Sequence, residues 1–166
     1  VAFIGDQGQE FKLSDPRGVQ LYDLAIDKPS STVTISGKSP TGYVNVSHRL
    51  YFGDGNQAVI NSRKFDRKVI MGAAGEVLRI GGSPFGHVDG IMQKQAAENG
   101  DSLFFEIGHG FTYTPAYVSL DSSAGNGTAG SIDGVNLSPI PDEPDNGPFY
   151  GNRMDTLSQL PRYWSL

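Results

Sequence analysis

Glycine and proline constrain this chain more than any other feature: 22 of its 166 residues are Gly and 10 are Pro. Inside a helix, relative to Ala, Gly costs about 1 kcal/mol and Pro about 3 kcal/mol. Punctuation this dense leaves little room for long helices and suits short strands joined by tight turns. The expected class is all-β. Residues 31–36 (STVTIS) alternate apolar and polar with period two, and residues 42–51 (GYVNVSHRLY) form a β-branched and aromatic run. Shorter strand candidates lie at 57–61 and 68–71. Residues 53–56 (GDGN) and 73–75 (AAG) read as turns.

Three segments emerge. Residues 1–80 carry strands every ~10–15 residues, which fits a small sandwich or the last rungs of a β-helix. Residues 81–100 read as a Gly-rich joint (GGSPFGHVDG) followed by a short helix over 91–97 (IMQKQAA), with Asn99-Gly100 as its stop. Residues 101–166 read as a sandwich-like C-terminal β-domain. Within it, 102–107 (SLFFEI) and 116–121 (AYVSLD) are strands around an aromatic turn, and 132–137 is a further short strand. Residues 139–147 (PIPDEPDNG) hold three prolines and are expected to be irregular.

Composition excludes several classes of chemistry. With no cysteine there is no thiolate zinc site, disulfide or thiol catalysis. A net charge of -5 argues against a phosphate-backbone partner, which needs clustered basic residues. The one basic cluster is Arg63, Lys64, Arg67 and Lys68. No run approaches the ~20 apolar residues of a membrane helix, so no membrane insertion is expected. The N-terminus lacks Met and has no signal-peptide pattern, so the chain reads as a piece of a longer protein.

No serine elbow, phosphate loop or dinucleotide fingerprint occurs. The three histidines, His48, His87 and His109, have no local metal-ligand partner. His109, between Gly108 and Gly110, reads as a turn histidine bonding backbone, with a ligand or catalytic role as the alternative. Carboxylates are numerous enough for glycoside hydrolysis, which needs two facing each other, but nothing pairs them. No cofactor is expected. A structural calcium ion is the one exception considered, at Asp54–Asn56 or in the acidic 142–146 loop. Flat rings suit the apolar C–H face of a pyranose, and Phe111, Tyr113, Tyr117, Tyr150, Tyr163 and Trp164 are the candidate carbohydrate contacts.

Residues 103–121 (LFFEIGHGFTYTPAYVSLD) resemble a pattern near the C-termini of phage tailspikes and tail fibres. There an apolar strand runs into His-Gly, a short turn, Thr-Pro and a second strand. The matching residues are Phe105, Ile107, His109, Gly110, Phe111, Thr114, Pro115, Tyr117 and Val118. Gly110 permits the turn, Pro115 fixes the start of the next strand, and the two strands are expected to pair as a hairpin. The resemblance implies a homotrimeric, non-catalytic module on a virion tail tip, or an extracellular one, that attaches to host-surface polysaccharide. Any depolymerase activity would belong to the parent protein. Two other readings stand beside it: a carbohydrate-binding module of a polysaccharide-degrading enzyme, and a fragment of a polysaccharide lyase or hydrolase.

Overall fold

The computed structural model describes residues 1–38, 42–53, 58–65, 67–79, 86–95, 102–119, 135–141 and 162–165. In chain order its strands are β1 (Ala2–Ile4), β2 (Gln9–Leu13), β3 (Val19–Asp27), β4 (Thr32–Gly37), β5 (Tyr43–Phe52) and β6 (Val59–Asn61). Then follow β7 (Lys68–Met71), β8 (Glu76–Arg79), β9 (His87–Asp89), β10 (Ile91–Lys94) and β11 (Ser102–Phe105). The last are β12 (Gly108–His109), β13 (Thr112–Tyr113), β14 (Ala116–Ser119), β15 (Val135–Pro141) and β16 (Arg162–Ser165). One 3₁₀ turn, Arg63–Phe65, precedes β7. The all-β class is as expected. Among the described residues no helix is long and apolar enough to cross a membrane.

The first ninety residues coil rather than fold as a sandwich. β2, β4, β6 and β9 form one parallel sheet, and β1, β3, β5, β7, β8 and β10 pair in parallel in another. The chain visits the two sheets in turn, so each circuit lays a coil on the one before. Successive coils are 23 residues apart at Ala2↔Ala25, 25 at Val44↔Val69 and 28 at Val59↔His87. This variable step hides the repeat from the sequence. The larger sheet is itself divided along one line. A register shift separates Leu21 from Asp23, and β5 pairs with β7 through residues 43–46 and with β8 through residues 49–52. Between β7 and β8, the Gly75 amide closes a turn onto the Gly72 carbonyl at 2.8 Å. Each coil therefore has three strand segments, in keeping with a parallel β-solenoid.

Stacking in register turns period-two patterns into columns of core. Val44, Val69 and Met92 stand side by side, each wholly buried. Leu24 and Leu50 form a second column, and Val33, Ile60, Val88 and Ile107 a third. Each such side chain contributes about 1.5–3 kcal/mol on leaving water. At one corner Lys28 is fully buried, and its ammonium donates to the carbonyls of Gly5 at 2.9 Å and Gln7 at 2.7 Å, with Ile4 at 3.4 Å.

Two sequence expectations are corrected. Residues 91–94 are strand β10, not helix: Met92 is buried in the Val69 column, and the Gln95 amide continues the ladder onto the Met71 carbonyl at 3.1 Å. Gln, Lys and Ala favour a helix, but propensity is a weak determinant, and an open parallel edge overrides it. Residues 139–141 are likewise regular, since β15 runs through Pro139 and Pro141 and pairs with β16. Two residues apart in the strand, these prolines have their nitrogens on the same edge, so the lost N–H groups affect one edge of β15.

The coil stack ends in antiparallel structure. β15 runs antiparallel along β10, β11 pairs with β14, and β12 with β13. The expected pairing of the two strands around the aromatic turn is therefore present. The junction is continuous: Val88 bridges Ile107 in parallel, and its amide donates to the Glu106 carbonyl at 2.9 Å.

Candidate functional site

The hairpin at the end of the stack is fastened by one buried carboxylate. β12 and β13 are joined by the two-residue turn Gly110-Phe111, with Gly110 at φ 55°. Asp89, at the end of β9, reaches under this turn. It accepts from the Gly110 amide at 3.0 Å and from Arg63 Nε at 2.8 Å, and His109 Nδ1 lies 3.4 Å from it. The other backbone group of Gly110 is satisfied too: its carbonyl accepts from buried His87 Nε2 at 3.1 Å. A second ion pair, Lys94 to Glu106 at 2.8 Å, ties the end of β11 to β10 with both side chains largely buried.

The histidine that bonds the backbone of the turn is thus His87, whereas His109 faces a carboxylate. Sequence reasoning passed over His87 because its role depends on a residue 23 positions away. Pro115 sits exposed between β13 and β14, and the Thr114 amide before it donates to the Ile107 carbonyl at 3.0 Å. Glycine at 108 is required by contact. A Cβ there would collide with the Thr112 carbonyl and the His87 ring.

The candidate aromatic residues fall into separate groups. Tyr113 is partly enclosed. Its hydroxyl accepts from Arg79 Nη2 at 2.7 Å, and the His87 ring lies 6.0 Å from its own. Burial pushes the Tyr113 phenol above its ordinary value of 10.0, against the opposing pull of Arg79. A raised folded-state value stabilises the protein below pH 10, and that contribution is lost as pH climbs through the folded value. Alkaline absorbance titration is expected to show a late-ionising phenol that Tyr113→Phe removes. The same substitution is expected to lessen the fall in stability above pH 10. An unchanged late component would remove Tyr113 from this role.

Phe111 and Tyr117 are open, at 51% and 65% exposed. Phe104, which the sequence reading did not single out, is 41% exposed and lies directly opposite Tyr117 in the β11–β14 ladder. Directly opposed residues have Cβ atoms roughly 5 Å apart, so the two side chains leave the same outward face of the hairpin. The alternate residues Leu103, Phe105, Ala116 and Val118 turn inward against the core. That alternation was the available signal for Phe104: if Phe105 faces in, Phe104 faces out. Tyr163 and Trp164 lie in β16, opposite Ile140 and Pro139. Tyr150 falls outside the described residues, as do both loops considered for calcium. Among the described residues no group of three or more His, Asp or Glu is placed to hold a metal ion.

The basic cluster of the sequence disperses. Arg67 is 2% exposed with its Nη2 donating to the Gly37 carbonyl at 2.8 Å, and Arg63 is paired with Asp89. Comparison with models of known protein families, with curated proteins and with solved structures finds no match to this chain.

Proposed function

We propose that this chain is the receptor-binding, trimerising end of a viral tailspike or tail fibre, and that it recognises host-surface polysaccharide without turning it over. The observation that carries the reading is the Phe104–Tyr117 pair, two exposed rings held directly opposite each other on a hairpin. A solvent-facing ring pair stabilises the fold little, whereas it offers flat apolar surface to a sugar ring. Phe111 is a further exposed ring, at the tip of the β12–β13 turn. The rigid fastening of the turn by Asp89 and His87 supports the reading, because a preorganised contact surface loses less entropy on binding. The parallel coils leading into this hairpin also agree with the tailspike resemblance of residues 103–121.

A glycan panel tests it. Wild-type chain is expected to bind at least one bacterial surface polysaccharide. Tyr117→Ala is expected to weaken that binding by about tenfold or more. As a surface change, its effect on stability is expected to stay within about 0.5 kcal/mol. Light scattering is expected to give a trimer. A monomer that still binds would favour a carbohydrate-binding module of an enzyme, and turnover of the bound polymer would favour a lyase or hydrolase. Binding indifferent to both Tyr117→Ala and Phe104→Ala would sink the hairpin as the contact surface.

A further inference from the structure

The coiled body carries a second surface that the hairpin reading does not use. Beyond the line dividing the larger sheet, β1, the end of β3, the end of β5 and β8 lie side by side in register. One outward row runs Ala2, Ala25, Tyr51, Leu78, and the row before it runs Asp23, Arg49, Glu76. Neighbours in such a row are ~4.8 Å apart. Two alanines in successive coils beside a tyrosine leave a trough, and the structure has one: an open cavity of ≈ 280 Å³ lined by Ala2, Ile4, Ala25, Asp27, Tyr51 and Gly53 among others. Its walls are mostly apolar. Gly53 is needed at one end, where a Cβ would collide with the Asp27 carboxylate.

The charges around the trough are unequally matched. Arg49 is paired with Glu76 at 2.6 Å, and its Nη1 donates to the Tyr51 hydroxyl at 3.3 Å. Asp23 is paired with His48 Nδ1 at 2.9 Å. The Lys28 ammonium is turned inward and engaged by backbone carbonyls. Asp27 is exposed and has no hydrogen-bond or ion-pair partner among the described residues. The Val1 ammonium, which donates to the Asp23 carbonyl at 3.0 Å, lies at the far end of β1, so at the Asp27 end of the trough the uncompensated charge is negative. The Tyr51 hydroxyl, already accepting from Arg49, retains its own proton to donate.

We infer that this trough is a binding site for an amino sugar: a pyranose whose apolar face lies along Ala2, Ala25 and Tyr51 and whose ammonium group meets Asp27. An apolar floor with one carboxylate at its end suits a ring that is apolar on one side and cationic at one substituent. It disfavours an acidic sugar, which would place two carboxylates together. The inference rests on glycan recognition as the task of the chain, and it adds a second contact on a different face. A polymer held at both the body and the hairpin would gain avidity.

Saturation-transfer NMR on the 166-residue chain tests this, with glucosamine, N-acetylglucosamine and glucuronic acid as probes. Glucosamine is expected to receive saturation and glucuronic acid none. Ala25→Phe, which fills the trough from an outward position, is expected to abolish the glucosamine signal. Asp27→Asn, which leaves the shape unchanged, is expected to weaken glucosamine binding about tenfold and to leave N-acetylglucosamine unaffected. Tyr117→Ala is expected to change nothing here. No transfer to glucosamine in the wild type, or an equal signal from Ala25→Phe, overturns the site. Equal binding of glucosamine and N-acetylglucosamine with Asp27→Asn silent overturns the amino-sugar assignment. Loss of polysaccharide binding in Tyr117→Ala together with silent glucosamine removes the trough and leaves the hairpin standing. The opposite pattern removes the hairpin and leaves the trough.

Discussion

Gly90→Ala is expected to lower the unfolding free energy by about 4 kcal/mol, the sum of backbone strain and overpacking. Gly90 links β9 to β10, where the chain leaves one sheet for the other within a single residue. It does so at φ 141°, a conformation that residues with a side chain rarely adopt. A Cβ there would also collide with the Ser62 hydroxyl and come within 2.7 Å of the Arg63 amide nitrogen. Ser62 cannot easily withdraw, because its amide is bonded to the Asp89 carbonyl at 2.9 Å. Gly110→Ala is the matched control. Gly110 also has positive φ, 55°, but nothing lies within 4 Å of its missing Cβ, so only strain of ~1 kcal/mol is expected. Chemical denaturation of both variants gives the comparison. Equal midpoints would contradict the close packing of the corner.

Asp89→Ala is expected to lower stability by about 3 kcal/mol, the loss typical of breaking a buried charged pair. The carboxylate is the common acceptor for Arg63 and the Gly110 amide and lies beside His109. Removing it leaves a half-buried guanidinium short of a partner and frees one end of the aromatic turn. Hydrogen exchange separates this from general loosening. The Gly110 amide, bonded to Asp89 in the native turn, is expected to lose protection well before the amides of β5. Uniform loss of protection across the coils would mean that Asp89 acts on the whole fold rather than on the turn.

Several elements were legible because local chemistry and final structure agree. Residues 31–36 alternate in sequence and 42–51 form a β-branched and aromatic run, and their apolar members Val33, Ile35, Val44 and Val46 all fill the core. Of the 102–107 and 116–121 runs, residues 102–105 pair with 116–119, with Leu103 opposite Val118. Other elements had no local signal. β9 lies inside a segment that reads as a glycine-rich joint, and only its neighbours β6 and Ile107 give it strand partners. Residues 91–97 carry helix-forming side chains, yet the open edge of β7 takes residues 91–94 as a strand. The trough was illegible for the same reason. Ala2, Ala25 and Tyr51 are separated by a coil each, and their adjacency exists only once the coils stack in register.

The sequence by itself determined the class and the punctuation. Dense glycine and proline rule out long helices, and period-two apolar runs set which side chains must be covered. Those are one-residue and two-residue effects, fixed before any long-range contact forms. Only the tertiary structure decided that the strands run parallel and coil, since an alternating strand offers the same apolar face to a sandwich or to a solenoid. It alone decided which polar groups meet. Asp89 with Gly110, Lys28 with the Gly5 carbonyl and Asp27 with the trough are pairings across a full circuit of chain, where register rather than residue type selects the partner.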